Sequence, residues 1–293
     1  MNRTKRQNND LIQFSNSNKK RKLENQKYYQ NILIPNRHRI KIVRLSSNPF
    51  TTDIIFSPPR SILNFIHLEI FTLDNPVNSI CSKIEKENLN SVKHLYIASE
   101  EIGHNCVNYF PNVKTLSIKN KFSKSIDSTI ATLQCMIPLM QLTKLIIECF
   151  IFPIKNIINL LYLTPNIHTL SLNSLLLNDM NKNSKKQNEI LQYISKKNKI
   201  QKLVLNWRPS LSNIQFVVDL FPRLKYLKVE MDRKEIKQII QFLLSKTHNK
   251  TRNLCIFKVP KVCLKQTKIL IKSENLLNSY SIKYINKDLH FWW

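Results

Sequence analysis

The chain has 293 residues, 42% of them apolar, which is long and apolar enough to bury a sizeable core. Its net charge of +27 points to acidic partners, although an Asn-, Lys- and Ile-rich composition also accumulates lysine on solvated faces. A single glycine excludes glycine-rich phosphate loops and the G-x-S-x-G nucleophile turn, so nucleotide-binding and hydrolase classes built on them are not expected.

Residues 1–37 read as a disordered basic tail, poor in apolar residues and rich in Asn, Gln and Ser. Lys5 and Arg6 are followed at a distance by Lys19, Lys20, Arg21 and Lys22. Two basic clusters so spaced fit a nuclear-import address, and equally a solvated charge run. The start, MNRTKRQNND, has no apolar stretch behind its basic residues, so no secretory leader is expected. The cysteines form no C-x-x-C pair and read as buried small hydrophobes in a reducing compartment. No run of apolar residues reaches the length of a membrane span.

From residue 38 to 293 one pattern recurs: an apolar residue, another three positions on, and a third two positions after that. It reads Phe65–Leu68–Ile70, Val92–Leu95–Ile97, Val113–Leu116–Ile118, Leu142–Leu145–Ile147, Ile167–Leu170–Leu172, Ile200–Leu203–Leu205, Leu224–Leu227–Val229 and Leu254–Phe257–Val259, with a weaker copy at Ile42–Leu45. Steps of 21 to 33 residues separate the eight clear copies, in or near the range of leucine-rich repeats. The last two apolar positions alternate as in a short strand with one face buried.

Helices are predicted between the strands, through Ile154, Ile157, Ile158 and Leu161, and through Ile236, Ile239, Ile240, Leu243 and Leu244 with Asp232 as N-cap. A third runs through Ile214, Val217, Val218 and Phe221, with Ser212 or Asn213 as its cap. Strand and helix alternating at this spacing give parallel strands. The expected fold is therefore α/β: a curved right-handed repeat solenoid of leucine-rich type with the parallel sheet on its concave face. Pro111, Pro165 and Pro222 each stand two residues ahead of a triplet, where a proline ends the preceding helix and holds its neighbour extended. Phe110 and Phe221 are expected to plug the core beside them. A C-terminal cap is expected near residues 276–293, with Trp292 and Trp293 covering the last repeat.

The triplets, the joints FPNVKTL and FPRLKYL, the segment Ile200–Val229 and the ending YSIKYINKDLHFWW resemble the F-box-associated leucine-rich-repeat proteins. The resemblance covers roughly residues 40–293. It implies a repeat domain that holds a protein partner, and a relation to substrate-recognition subunits of ubiquitin ligases. In that family an F-box opening near a Leu-Pro-x-Glu motif docks the ligase; residues 1–41 carry no such motif, and a basic tail stands in its place.

The histidines show no spacing suited to zinc; His67 and His94 fall at one repeat position, with Glu69 the nearby acid. No catalytic residue, metal ligand or cofactor is expected. What remains is a surface: the residues beside each central strand apolar, namely His67/Glu69, His94/Tyr96, Thr115/Ser117, Lys144/Ile146, Thr169/Ser171, Lys202/Val204, Tyr226/Lys228 and Ile256/Lys258. Candidate partner-binding residues are Tyr96, Lys144, Lys202, Trp207, Arg208, Tyr226, Lys228 and Lys258, since aromatic and Arg side chains anchor interfaces and lysines suit an acidic segment. The reading is a non-catalytic protein-interaction scaffold, monomeric, cytoplasmic or nuclear, without small-molecule substrate or membrane. The alternative is a nuclear basic repeat protein that binds nucleic acid or chromatin.

Overall fold

A computed structural model describes residues 11–12, 41–46, 67–74, 86–98, 109–119, 126–149, 152, 154–174, 185–232, 234–244, 253–257, 262–276 and 280–292. The basic clusters at Lys5, Arg6 and Lys19–Lys22, and also Lys258 and Trp293, lie outside the described residues. The chain forms two compact units, Met1–Leu142 and Thr143–Trp293. Both are α/β, each with an open, mostly parallel sheet.

The first unit contains β1 (Leu11–Ile12), β2 (Ile42–Ser46), β3 (Ile70–Asp74), β4 (His94–Ile97) and β5 (Thr115–Lys119). They pair side by side in chain order, all parallel. Leu11 and Ile12, expected within a disordered tail, instead pair with Ile42 and Val43. The sheet edge at β2 offers unpaired backbone groups, and this short segment pairs with them. Helix α1 spans Ile126–Met136, and short 3-10 turns cover Lys86–Ser91 and Leu139–Gln141. Leu95, Leu116, Val92, Val113 and Phe110 are each 0% exposed. The Phe71 and Phe110 rings pack with centroids 5.5 Å apart.

The second unit alternates strand and helix. It runs β6 (Lys144–Glu148), α2 (Ile154–Leu163), β7 (Thr169–Leu172), α3 (Lys185–Lys197), β8 (Lys202–Leu205), α4 (Leu211–Leu220), β9 (Tyr226–Glu230), α5 (Ile236–Leu244), β10 (Asn253–Phe257) and α6 (Val262–Ser273). Strands β6 to β10 pair in order and in parallel. The second and third positions of each triplet stack across the strands: Leu145, Leu170, Leu203 and Leu227 lie opposite one another, as do Ile147, Leu172, Leu205 and Val229. All eight are buried, and each such side chain contributes about 1.5–3 kcal/mol relative to exposure.

Two of the three prolines follow a helix as the pattern predicts; residues 99–108, ahead of Pro111, lie outside the described residues. Pro165 follows α2 and Pro222 follows α4, each inside a turn closed from the third triplet-side residue: Ile167 N–H to Thr164 O, and Leu224 N–H to Phe221 O. Phe221 has φ −118° and ψ 71°, outside the helical region, as a following proline demands. Phe110 and Phe221 are buried. Helix α4 is capped by Ser210, two residues ahead of the expected Ser212: its hydroxyl accepts from Asn213 N–H. Glu235 accepts from Leu211 N–H at 2.7 Å, so a carboxylate from the next repeat also faces that helix start. Asp232 accepts from Lys234 N–H, in the turn leading into α5.

Two triplets are displaced from their expected frame. Pairing sets Phe71 opposite Leu95 and Leu73 opposite Ile97, so the first clear triplet is Leu68–Phe71–Leu73, not Phe65–Leu68–Ile70. The weaker copy shifts with it: Val43 and Leu45 lie opposite Phe71 and Leu73, as second and third positions, where Ile42 and Leu45 were expected as first and second. At the other end Leu254 and Ile256 lie opposite Leu227 and Val229, so the last strand is not centred on Phe257. The chain then closes with an antiparallel hairpin, β11 (Ser281–Ile285) and β12 (Asp288–Trp292), where β12 pairs with β10. Asn286 and Lys287 form its two-residue turn with φ of 51° and 67°, the backbone that a type I′ turn requires. Leu289 and Phe291 enter the core, while Trp292 lies on the opposite face and is 38% exposed. The period of two along β12 thus gives the capping role to Phe291 rather than Trp292.

Candidate binding face and thiol–imidazole cluster

One face of the second unit's sheet is made by the residues between the buried leucines. Register fixes two rows across it. The first is Lys144, Thr169, Lys202, Tyr226 and Asn253; the second is Ile146, Ser171, Val204, Lys228, Cys255 and His290. Lys144 and Lys202 are exposed, and Ile146, Val204, Tyr226 and Lys228 are half-buried. The Lys202 ammonium lies 5.0 Å from the centre of the Tyr226 ring, a cation–π distance.

At the C-terminal side of this face the side chains close up. Cys255 stands opposite His290 in the antiparallel pair, and its Sγ lies 3.9 Å from His290 Nε2. Asp288, two residues along β12, points to the same face; one oxygen lies 3.5 Å from Lys228 Nζ. The Trp292 ring stacks on the His290 ring, centroids 5.7 Å apart at 14°. Burial pushes the Tyr226 hydroxyl up to about 12, and the adjoining Cys255 and the Asp288 charge add to the rise. Burial likewise raises Cys255, against the Lys228 charge and the Tyr226 hydrogen bond, which favour its thiolate.

The expected surface residues divide. Lys144, Lys202, Tyr226 and Lys228 share this face. Trp207 is half-buried beyond β8, and Arg208 is held by Glu230, its guanidinium 3.0 Å from the carboxylate. Tyr96 belongs to the first unit, half-buried on β4 with its ring edge-on to His94 at 6.5 Å. His94 shares a 2.8 Å hydrogen bond with Ser117, which is 1% exposed.

Two expectations about this surface are corrected. His67 and His94 are not at one repeat position: Ile70 lies opposite His94, and Glu69 is paired with Lys41 at 3.3 Å. Register sets Ile256 opposite the buried Val229 and Cys255 opposite Lys228, so the residue that β10 gives to the face row is Cys255, itself only 1% exposed. The shift of three residues hid Cys255, and with it the neighbourhood of Asp288 and His290. A period-two reading of DLHFW alone puts Asp288, His290 and Trp292 on one side, and this was the available signal.

Among the described residues, no helix is long and apolar enough to cross a membrane. Compared with known proteins, the chain matches no protein-family model and no curated protein.

Proposed function

We propose that this chain is a non-catalytic protein-interaction scaffold of the leucine-rich-repeat solenoid type, related to the F-box-associated repeat proteins and to ubiquitin-ligase substrate recognition. The supporting observation is the second unit's sheet face, where Lys144, Lys202 and Lys228 alternate with Ile146, Val204 and Tyr226. Apolar patches ringed by ammonium groups suit an acidic protein segment with interspersed apolar anchors. Half-buried side chains on paired strands also lose little conformational freedom when covered. In this reading the chain acts as a monomer in the cytoplasm or nucleus, with Lys5, Arg6 and Lys19–Lys22 as its import address.

The test is a photo-crosslinking residue placed at Val204 on the face, with Gln215 on the exposed side of α4 as control. The expected product, from Val204 only, is one reproducible protein adduct whose captured peptide carries net negative charge. Nucleotide adducts at Val204 would favour the nucleic-acid alternative. Equal labelling from both positions would remove the face as the binding surface.

A further inference from the structure

We propose that Cys255, Asp288 and His290 form a binding site for one zinc-like divalent ion, with the fourth position left to solvent. The inference is independent of which macromolecule the face binds.

The three donors come from neighbouring antiparallel strands and project to one face. Cys255 lies directly opposite His290, and Asp288 is two residues along the same strand. A thiol sulfur, an imidazole nitrogen and a carboxylate oxygen from these residues all lie within 4.8 Å of one another, with sulfur and Nε2 at 3.9 Å. Zinc bonds of about 2.3 Å to sulfur and about 2.0–2.1 Å to nitrogen place two tetrahedral ligands about 3.5 Å apart. The thiol–imidazole pair is thus about 0.4 Å from that spacing, and the backbone register already sets the donors on one face.

Donor chemistry narrows the ion. One thiolate, one imidazole and one carboxylate suit zinc, whereas magnesium and calcium select oxygen-only sets. Three protein ligands with an open fourth position are the arrangement of zinc sites that keep a water. The surroundings support the ligands as outer groups do in metal sites. Trp292 stacks on the His290 ring and fixes its plane. The Tyr226 hydroxyl is hydrogen-bonded to Cys255. Without an ion, Lys228 supplies the positive charge beside Asp288 and Cys255. Its side chain is 33% exposed, so the ammonium has an outward path when a dication takes its place. Asp288 and His290 are half-buried, not sealed, which leaves solvent a route to the site.

The experiment titrates the purified full chain with cobalt(II), then with zinc in competition against a chelator. One equivalent of cobalt should produce thiolate-to-metal charge-transfer absorption and the intense visible bands of a four-coordinate ion, and zinc should displace it. Cys255→Ser should abolish the charge-transfer band. His290→Gln and Asp288→Asn should each weaken binding at least ten-fold, with unchanged circular dichroism. X-ray absorption of the zinc-loaded wild-type chain needs no variant and should find one sulfur among nitrogen and oxygen neighbours. No thiolate band in wild type, a band that persists in Cys255→Ser, or two or more sulfurs per zinc would each overturn the site.

Discussion

Asn198 donates its side-chain amide to the carbonyl of Leu220, 3.1 Å away, and so ties the end of α3 to the end of α4 in the next repeat. The same amide nitrogen donates to Ile194 O at 2.7 Å, and the side-chain oxygen accepts from Ile200 N–H at 3.1 Å. By sequence Asn198 stands where the neighbouring joints carry Pro165 and Pro222, two residues ahead of the triplet. Proline ends the helix there by denying it a donor; Asn198, 3% exposed, ends it by satisfying the carbonyls the helix leaves open. Asn198→Ala should destabilise the chain by about 2–3 kcal/mol, because buried carbonyls lose their donor. Asn198→Asp should cost more, since a carboxylate would face the same carbonyls. Urea denaturation checks both, and a neutral alanine variant would show that water replaces the amide.

The joints also predict where packing matters. Phe221 is 2% exposed, between the end of α4 and the start of β9. Phe221→Ala should cost about 3–5 kcal/mol, the range for deleting a buried ring that its neighbours cannot refill. Ser210→Ala should cost only about 1 kcal/mol, the ordinary value of an N-cap. It stays small because Glu235 still faces the first N–H groups of α4. Thermal unfolding of the two variants should therefore differ clearly, with Ser210→Ala the milder.

The apolar skeleton of this fold is written in the sequence, because the apolar residues at the second and third triplet positions, two apart on a strand, fall on one face. Val92–Leu95–Ile97 and Leu224–Leu227–Val229 fall in register as read. The ends were harder for a physical reason. Around Leu68 two overlapping frames, Phe65–Leu68–Ile70 and Leu68–Phe71–Leu73, satisfy the same spacing, and only pairing with β4 chooses between them. At β10 the frame that pairing selects begins at Thr251, a polar residue, so the pattern looks better three residues later. Helix α3 was not foreseen: KKQNEILQYISKK is largely polar, and its apolar face is narrow. The Cys255, Asp288 and His290 cluster was illegible for a different reason. Cys255 stands 33 and 35 residues before Asp288 and His290, and meets them only because the last hairpin reverses onto β10.

That hairpin carries a local strain. Lys287 holds φ 67°, a left-handed conformation that costs a residue with a Cβ about 1–2 kcal/mol. Asn286, at φ 51°, tolerates the same region better because its short side chain bonds locally. Lys287→Gly should therefore stabilise the hairpin by about 0.5–1 kcal/mol, after glycine's own entropy is counted. Asn286→Gly should be nearly neutral. Amide hydrogen exchange across β11 and β12 is the direct measure; slower exchange in Lys287→Gly alone is the expected outcome.

In the first unit the pairing of His94 with Ser117 makes a separate prediction. Ser117 is 1% exposed, between the half-buried Thr115 and the exposed Lys119, and its hydroxyl shares a hydrogen bond with His94. A double-mutant cycle of His94→Ala and Ser117→Ala should give a coupling of about 0.5–1.5 kcal/mol, the net worth of one hydrogen bond. Additive losses would mean that the two side chains touch without contributing to one another.

Lys144 and Lys202 separate the two readings of the binding face. They sit in one row, two strands apart, which sets their backbones roughly 9.5 Å from each other. Both are exposed, so reversing their charge leaves the core untouched. Lys144→Glu with Lys202→Glu should lower affinity for a glutamate-rich peptide about ten-fold or more, since two attractions become repulsions. Unfolding free energy should stay within about 0.5 kcal/mol of wild type. If nucleic acid is the true ligand, removing two phosphate contacts should lower the slope of log affinity against log salt by about two for an oligonucleotide. A peptide affinity that does not change on charge reversal would show that the face's lysines are solvated charge and that its apolar residues alone carry any binding.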